Sequence, residues 1–201
     1  MLMAVGIKVT ETERLLMAQC RAGDLDAFEQ VYRQYTDVVF RHAFYLLGHH
    51  EDADDVKQET FLRAYRGLQG FHQDSSLLTW LLKICSNLCY DRLKRRRRQP
   101  EITYDAEAAQ RFLRDSPDAA CHWLDPQAAL DRADTLQLLL KALQNMPPPQ
   151  RNLTVLHLLE GLDYKEIGHV LGCAPGAAKM RVLRATHLFK ARVTVLLNAP
   201  F

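Results

Sequence analysis

The sequence has no apolar run near the roughly 18 residues that a membrane span requires, which argues against membrane insertion. Its first residues, MLMAVGIKVTETER, lack the apolar core of a signal peptide, so a cytoplasmic location is expected. No segment alternates apolar and polar residues over strand length, which disfavours a β fold. The cysteines Cys20, Cys85, Cys89, Cys121 and Cys173 are odd in number and scattered, unlike a disulfide framework, and read as reduced thiols. A glycine-rich phosphate loop, a nucleophile elbow and an HExxH pair are also missing, so neither catalysis nor a cofactor is expected.

Net charge is scarce as well, at only +2, but this small sum hides strong segregation. Arg92, Lys94, Arg95, Arg96, Arg97 and Arg98 form one basic block, and Lys179, Arg181, Arg184, Lys190 and Arg192 form another. Acid gathers at Glu51, Asp52, Asp54, Asp55 and Glu59. Two basic surfaces suit a polyanion such as DNA, and the acidic one suits a basic protein partner.

Helical periodicity dominates, and 48% hydrophobic residues can supply a core, so the fold class predicted is all-α with two small helical domains. Apolar positions recur from Glu13 to Leu47, broken by Gly23-Asp24 into two helices and ended by Gly48. A third helix is expected from Glu51 to Gly67, then a loop over 70–75, then a fourth helix from Ser76 into the arginines up to Pro100. Residues 101–126 mix Asp, Ala and Pro without a period and read as a linker. Further helices are expected over Asp131–Asn145, Gln150–Glu160 and Tyr164–Leu171, with a last one opening at Pro175, where proline's fixed φ suits a first turn.

The last two helices carry the sharpest signal. A short helix, a glycine-containing turn and a longer basic helix match the helix-turn-helix, which seats its second helix in the major groove. Ala178, Val182, Ala185 and Phe189, spaced 4, 3 and 4 apart, form a stripe for packing. The opposite face carries Ala177, Met180, Arg181 and Arg184, where arginine can read guanine edges, and Lys179 and Lys190 at the margins suit phosphates. The first arginine block follows a helix bearing Trp80, Asn87 and Tyr90, with Phe71 just before it, a combination of charge and stacking groups that favours unpaired DNA. Asp52, Asp55 and Glu59 share one face of the third helix and form the candidate partner surface.

The stretch DADDVKQETFLRAYRGLQGFHQDSSLLTWLLKICSNLCYDRLKRRRR resembles the second conserved region of bacterial extracytoplasmic-function (ECF) sigma factors, and LLEGLDYKEIGHVLGCAPGAAKMRVLRATHLFK resembles their fourth. The resemblance implies a promoter-specificity subunit of RNA polymerase, with region 2 over 10–100, a linker over 101–130 and region 4 over 131–194. By similarity, Asp52, Asp55, Gln58 and Glu59 would bind core polymerase, on the clamp of its largest subunit, while the other module meets the flap. A loop at 71–75 would capture a base flipped from the minus-10 element, with Phe71, Ile84 and Asn87 lining its pocket and Arg92, Arg95 and Arg96 holding the backbone. Lys179, Met180, Arg181 and Arg184 would read the minus-35 element. Many members have glycine, threonine, valine, a basic residue and serine where this chain has Gly176, Ala177, Ala178, Lys179 and Met180, so the sequence read here is expected to be unusual. An anti-sigma protein is a further implied partner.

A competing reading is a stand-alone helix-turn-helix regulator that binds duplex operators as a dimer. Cys85 and Cys89, one helical turn apart, also invite a zinc or redox reading, but beside Trp80, Leu81, Ile84 and Leu88 they read better as helix packing, so no metal is expected.

Overall fold

The computed structural model describes residues 11–71, 75–96 and 129–198, and all regular structure among them is helical. Helix α1 spans Glu11–Arg21 and α2 spans Leu25–Leu47. Gly23 takes a left-handed φ of 88° between them, and the Asp24 carboxylate caps α2 by accepting from Asp26 N at 2.9 Å and Ala27 N at 3.1 Å. Gly48 ends α2 with φ 68°, donating its N–H to Phe44 O. Helix α3 covers His50–Gly67 and leads through a 3-10 turn, Leu68–Gly70, toward α4, Leu77–Arg96. Ser76 caps α4 by accepting from Thr79 N, and Glu13 of α1 accepts from Leu77 N at 2.5 Å.

The second half begins with α5, Ala129–Gln144, then α6, Pro148–Thr154, which widens into a π-helical turn over Val155–Leu159. The helix expected to start at Gln150 starts two residues earlier because proline, with no N–H to satisfy, fits a first helical turn. Helices α7, Tyr164–Leu171, and α8, Pro175–Leu197, complete the described chain. Of the linker expected over 101–130, only Ala129 and Leu130 lie within the described residues, where they start α5.

The two halves do not keep separate cores. One cluster joins Met17, Val31, Phe44, Leu81 and Cys85 of the first half to Leu136, Leu140, Leu143, Met146 and Val155 of the second. The other places Leu78 and Leu82 of α4 among Leu153, Leu156, Leu162, Ile167, Val170, Ala178, Val182 and Ala185. Helix α4 is therefore covered on two sides, by its own half and by the docked second half. Local spacing does not reveal this, since α4's inner positions fit the core of its own half alone. No helix among the described residues is long and apolar enough to cross a membrane.

Candidate functional site

The acidic face of α3 is less bare than its sequence suggests. Asp52 is buried, at 8% exposure, and its Oδ1 accepts from Arg92 Nε at 2.9 Å and Arg92 Nη2 at 2.5 Å while its other oxygen pairs with Arg96. Asp52 thus joins α3 to the end of α4 and is not on the open surface expected of it. Asp55 pairs with Arg92 at 2.7 Å yet keeps 62% of its side chain exposed. Gln58 donates to Asp54 at 2.8 Å and Glu59 accepts from Arg63 at 2.8 Å. Asp55, Gln58, Glu59, Leu62, Arg63, Arg92 and Arg95 line a groove of about 490 Å³. Three of the four residues expected to dock on a partner therefore share one concave surface, rimmed by both charge signs.

The arginine block divides in the same way. Arg92 and Arg96 face inward, Arg96 also donating to Leu47 O at 3.2 Å, and burial lowers the pKa of the Arg96 guanidinium. Lys94 and Arg95 are exposed, whereas Arg97 and Arg98 lie outside the described residues.

Phe71 is buried at 6% exposure, stacked on Trp80 with ring centroids 4.7 Å apart and planes 26° from parallel. Its carbonyl accepts from Arg21. In this conformation Phe71 packs on Trp80 and is nearly closed off from solvent, whereas the expected pocket lining would stand open. Trp80, Ile84 and Asn87, spaced 4 and 3 apart, run along one side of α4, the first two half-buried and Asn87 exposed. Residues 72–74 of the expected base-capturing loop lie outside the described residues.

The helix-turn-helix is built as its sequence suggests. Asp163 and Glu166 form a reciprocal capping box at the start of α7, at 2.8 Å and 2.9 Å. Gly172 turns the chain with a left-handed φ of 63°. Gly168 is the glycine that pattern reading passed over: a Cβ there would come within 2.7 Å of Cys173 O, so the turn folds onto α7 only because the side chain is missing. Ala178, Val182 and Ala185 are buried, at no more than 1% exposure, and Phe189 packs half-buried against the other cluster. Lys179, Met180, Arg181 and Arg184 are all exposed. Helix α8 has no Asp or Glu anywhere along it, so its positive field is uncompensated from within the helix.

Sequence reading missed a set of polar residues between the halves. Arg41 Nη2 pairs with Glu160 Oε2 at 2.9 Å, with the Glu160 side chain only 1% exposed. Burial raises the Glu160 carboxyl above its ordinary range, and the Arg41 charge offsets only part of that. His42 Nε2 lies 3.0 Å from Ser86 Oγ, which donates to Asn152 Oδ1 at 3.1 Å. Residues 41 and 42 carry no spacing motif that would have marked them.

No group of three or more His, Cys, Asp or Glu is placed to hold a metal ion among the described residues. Cys85 and Cys89 are buried in the core, where burial raises the Cys89 thiol pKa well above its ordinary value.

Comparison with known proteins agrees with this division. Residues 31–99 match the Sigma-70 region 2 family and residues 136–192 match Sigma-70, region 4. The RNA polymerase sigma-H factor of Pseudomonas aeruginosa is 30% identical over 189 residues, 94% of this chain and 97% of that protein. The ECF RNA polymerase sigma factor SigW of Bacillus subtilis is 28% identical over 176 residues, 87% of this chain and 93% of that protein. Among solved structures, CnrH in complex with the cytosolic domain of CnrY superposes with a TM-score of 0.63 at 24% identity, covering 94% of this chain and 98% of that one. The sigma factor RpoE in complex with the anti-sigma factor NepR from Bartonella quintana gives 0.58 at 24% identity, covering 84% and 97%. At that identity the two structures speak for the shared fold.

Proposed function

The chain belongs to the extracytoplasmic-function sigma factors of RNA polymerase and is a transcription initiation factor, and we propose that its surfaces divide the work of promoter recognition as follows. Asp55, Gln58 and Glu59, around the α3–α4 groove, dock on a basic surface of core polymerase. Asn87 and Ile84 beside Trp80, with Lys94 and Arg95, meet the minus-10 element, and Arg92 and Arg96 act chiefly by holding the end of α4 in place. Lys179, Met180, Arg181 and Arg184 read the minus-35 element, Met180 by apolar contact with a thymine methyl. The chain contributes specificity while the polymerase supplies the chemistry. An anti-sigma protein is its natural inhibitor, by analogy with the complex of RpoE and NepR.

The single observation that carries this reading is α8. One side is buried down to 1% exposure, the other presents three cations and a methionine, and no carboxylate interrupts them. A self-sufficient dimeric regulator is not favoured, because the family matches span both halves in order.

Run-off transcription with purified core polymerase on a genomic fragment library tests the proposal, comparing wild type with Asp55→Arg. Because the Asp55–Arg92 pair is exposed and worth at most about 1 kcal/mol, the variant folds. It is expected to lose core binding and transcripts together. Equal transcription by the variant would place docking elsewhere.

A further inference from the structure

We propose that α1 is a brace for the minus-10 face of α4: Glu13 and Arg21, near its two ends, pin the two sides of the connection between α3 and α4 and so position Trp80, Ile84 and Asn87. The inference rests on the sigma-factor reading above and adds two positioning residues to it.

The inward face of α1 is built to grip at both ends. Met17 and Cys20 are buried, and Leu16 packs half-buried against the same core. Glu13 stands one turn before Met17, and Arg21 directly follows Cys20, so the two polar groups flank the apolar stripe. At 1.5 Å per residue they lie about 12 Å apart along the helix.

Each end takes hold of backbone. Arg21 Nη2 donates to Phe71 O, and Gln69 Nε2 donates in return to Arg21 O at 3.0 Å, so the last turn of α1 and the 3-10 turn after α3 hold each other. Glu13 Oε1 accepts from Leu77 N at 2.5 Å. That N–H is one of the four that a helix start leaves unserved, and a carboxylate there also meets the positive end of the α4 dipole. From Phe71 to Leu77 the chain could reach about 20 Å if extended. Its length alone therefore does not fix where α4 begins relative to the end of α3, and α1 does.

The anchored points lead directly to the DNA-facing side. The ring of Phe71, whose carbonyl Arg21 holds, stacks on Trp80 with centroids 4.7 Å apart. A Cβ on Gly67 would lie 3.3 Å from Trp80 Cζ2, so the end of α3 closes on the indole as well. Ile84 and Asn87 follow Trp80 one and two turns along α4, so a shift at Phe71 or Leu77 moves all three. Arg21 is a costly residue for a purely structural contact, because its Nε is buried without a hydrogen-bond partner among the described residues. An apolar side chain would extend the stripe without that cost, so what the guanidinium contributes is its bond to Phe71 O.

Promoter selection by the full-length protein with purified core polymerase tests the brace. Wild type is compared with Arg21→Ala, Arg21→Lys, Glu13→Ala and Glu13→Gln on pools randomised at the minus-10 or at the minus-35 element. The alanine variants should lose at least about fivefold in discrimination at the minus-10 element, with minus-35 preference as in wild type. Arg21→Lys keeps a donor and Glu13→Gln keeps an acceptor, so both should recover most of the loss. Lost stability alone would reduce the amount of active holoenzyme without changing which bases it selects. Alanine variants that discriminate as wild type does, variants that lose both elements equally, or lysine and glutamine variants no better than alanine overturn the brace. Circular dichroism checks helix content. Should an alanine variant lose it, Gln69→Ala, which removes only an exposed bond to α1, decides by the same comparison: about a twofold loss at the minus-10 element is expected, and no loss overturns the brace. A wild type that selects no promoter overturns the sigma reading and the brace with it, whereas a selective wild type with unaltered variants overturns the brace alone.

Discussion

Mild acid should weaken this protein through one histidine. His42 is fully buried, and the Ser86 hydroxyl has given its proton to Asn152, so His42 must donate from Nε2 and carry a bare Nδ1. That Nδ1 has no hydrogen-bond partner, and Arg41 is its neighbour in the chain. Burial first, and the Arg41 charge second, push the His42 pKa from 6.5 down to about 3. The unfolded chain takes up this proton below its ordinary pKa and the folded chain does not. Stability is therefore fully present above pH 6.5 and declines as pH falls toward 3. By pH 5.5 the loss is about 1 kcal/mol and by pH 4.5 about 3 kcal/mol, the latter lowering Tm by roughly 6–12 °C for a chain of this size. Glu160, whose carboxyl is raised, works in the opposite sense, binding its proton more tightly when folded and so gaining stability as pH falls toward its ordinary range. His42→Gln retains a donor near Nε2 but cannot titrate, so the difference between its Tm profile and that of wild type isolates the histidine. Thermal unfolding followed by circular dichroism from pH 7.5 to 4.5 should show a steeper decline for wild type. Parallel profiles would refute the argument.

Three further outcomes follow from particular residues. Asp52→Ala should cost about 3 kcal/mol, because it strands Arg96 against the protein with its charge unpaired; denaturant unfolding reads this directly, and a loss below 1 kcal/mol would mean that these ion pairs do not hold the end of α4 in place. Arg184→Ala should weaken binding of the holoenzyme to promoters by about 1–3 kcal/mol and relax selection at one position of the minus-35 element, whereas Met180→Ser should shift the preference away from thymine at a smaller cost; selection from a randomised promoter pool measures both. Asp163→Ala should remove half of the capping box and lower stability by about 1 kcal/mol while leaving promoter preference untouched, a separation visible when unfolding and promoter selection are measured on the same sample.

Much of this architecture is legible locally. Gly23-Asp24, Gly48, Pro148 and Gly172 break the chain where it turns because each break depends on one residue's own φ or missing donor. The stripe Ala178, Val182, Ala185 is readable because a helix maps spacing onto a face. Asp52 was not legible in the same way. Its spacing puts it on the face of Asp55 and Glu59, but only the return of α4 brings Arg92 and Arg96, some forty residues later, onto its carboxylate. Phe71 likewise reads as a stacking group until Trp80 folds back onto it.

The polar seam between the two halves was invisible for a deeper reason. Arg41, His42, Gln144, Arg151, Asn152 and Glu160 follow no period, and each alone reads as an ordinary polar residue on a helix. Their meaning lies in pairings between residues about a hundred positions apart, such as Arg151 with the Leu46 carbonyl. Such pairings are set by docking and leave no trace in local spacing. They also explain why α2 ends in three carbonyls without local caps: Gly48 serves only Phe44, and the chain relies on distant side chains for the rest. A helix end completed by another module depends on that module's position, so stability and conformation are coupled at this point. The Tyr45 and Leu46 carbonyls, the Ser86 hydroxyl and the Glu160 carboxylate are each paired across the two halves, so these bonds and the docking of the halves hold or fail together.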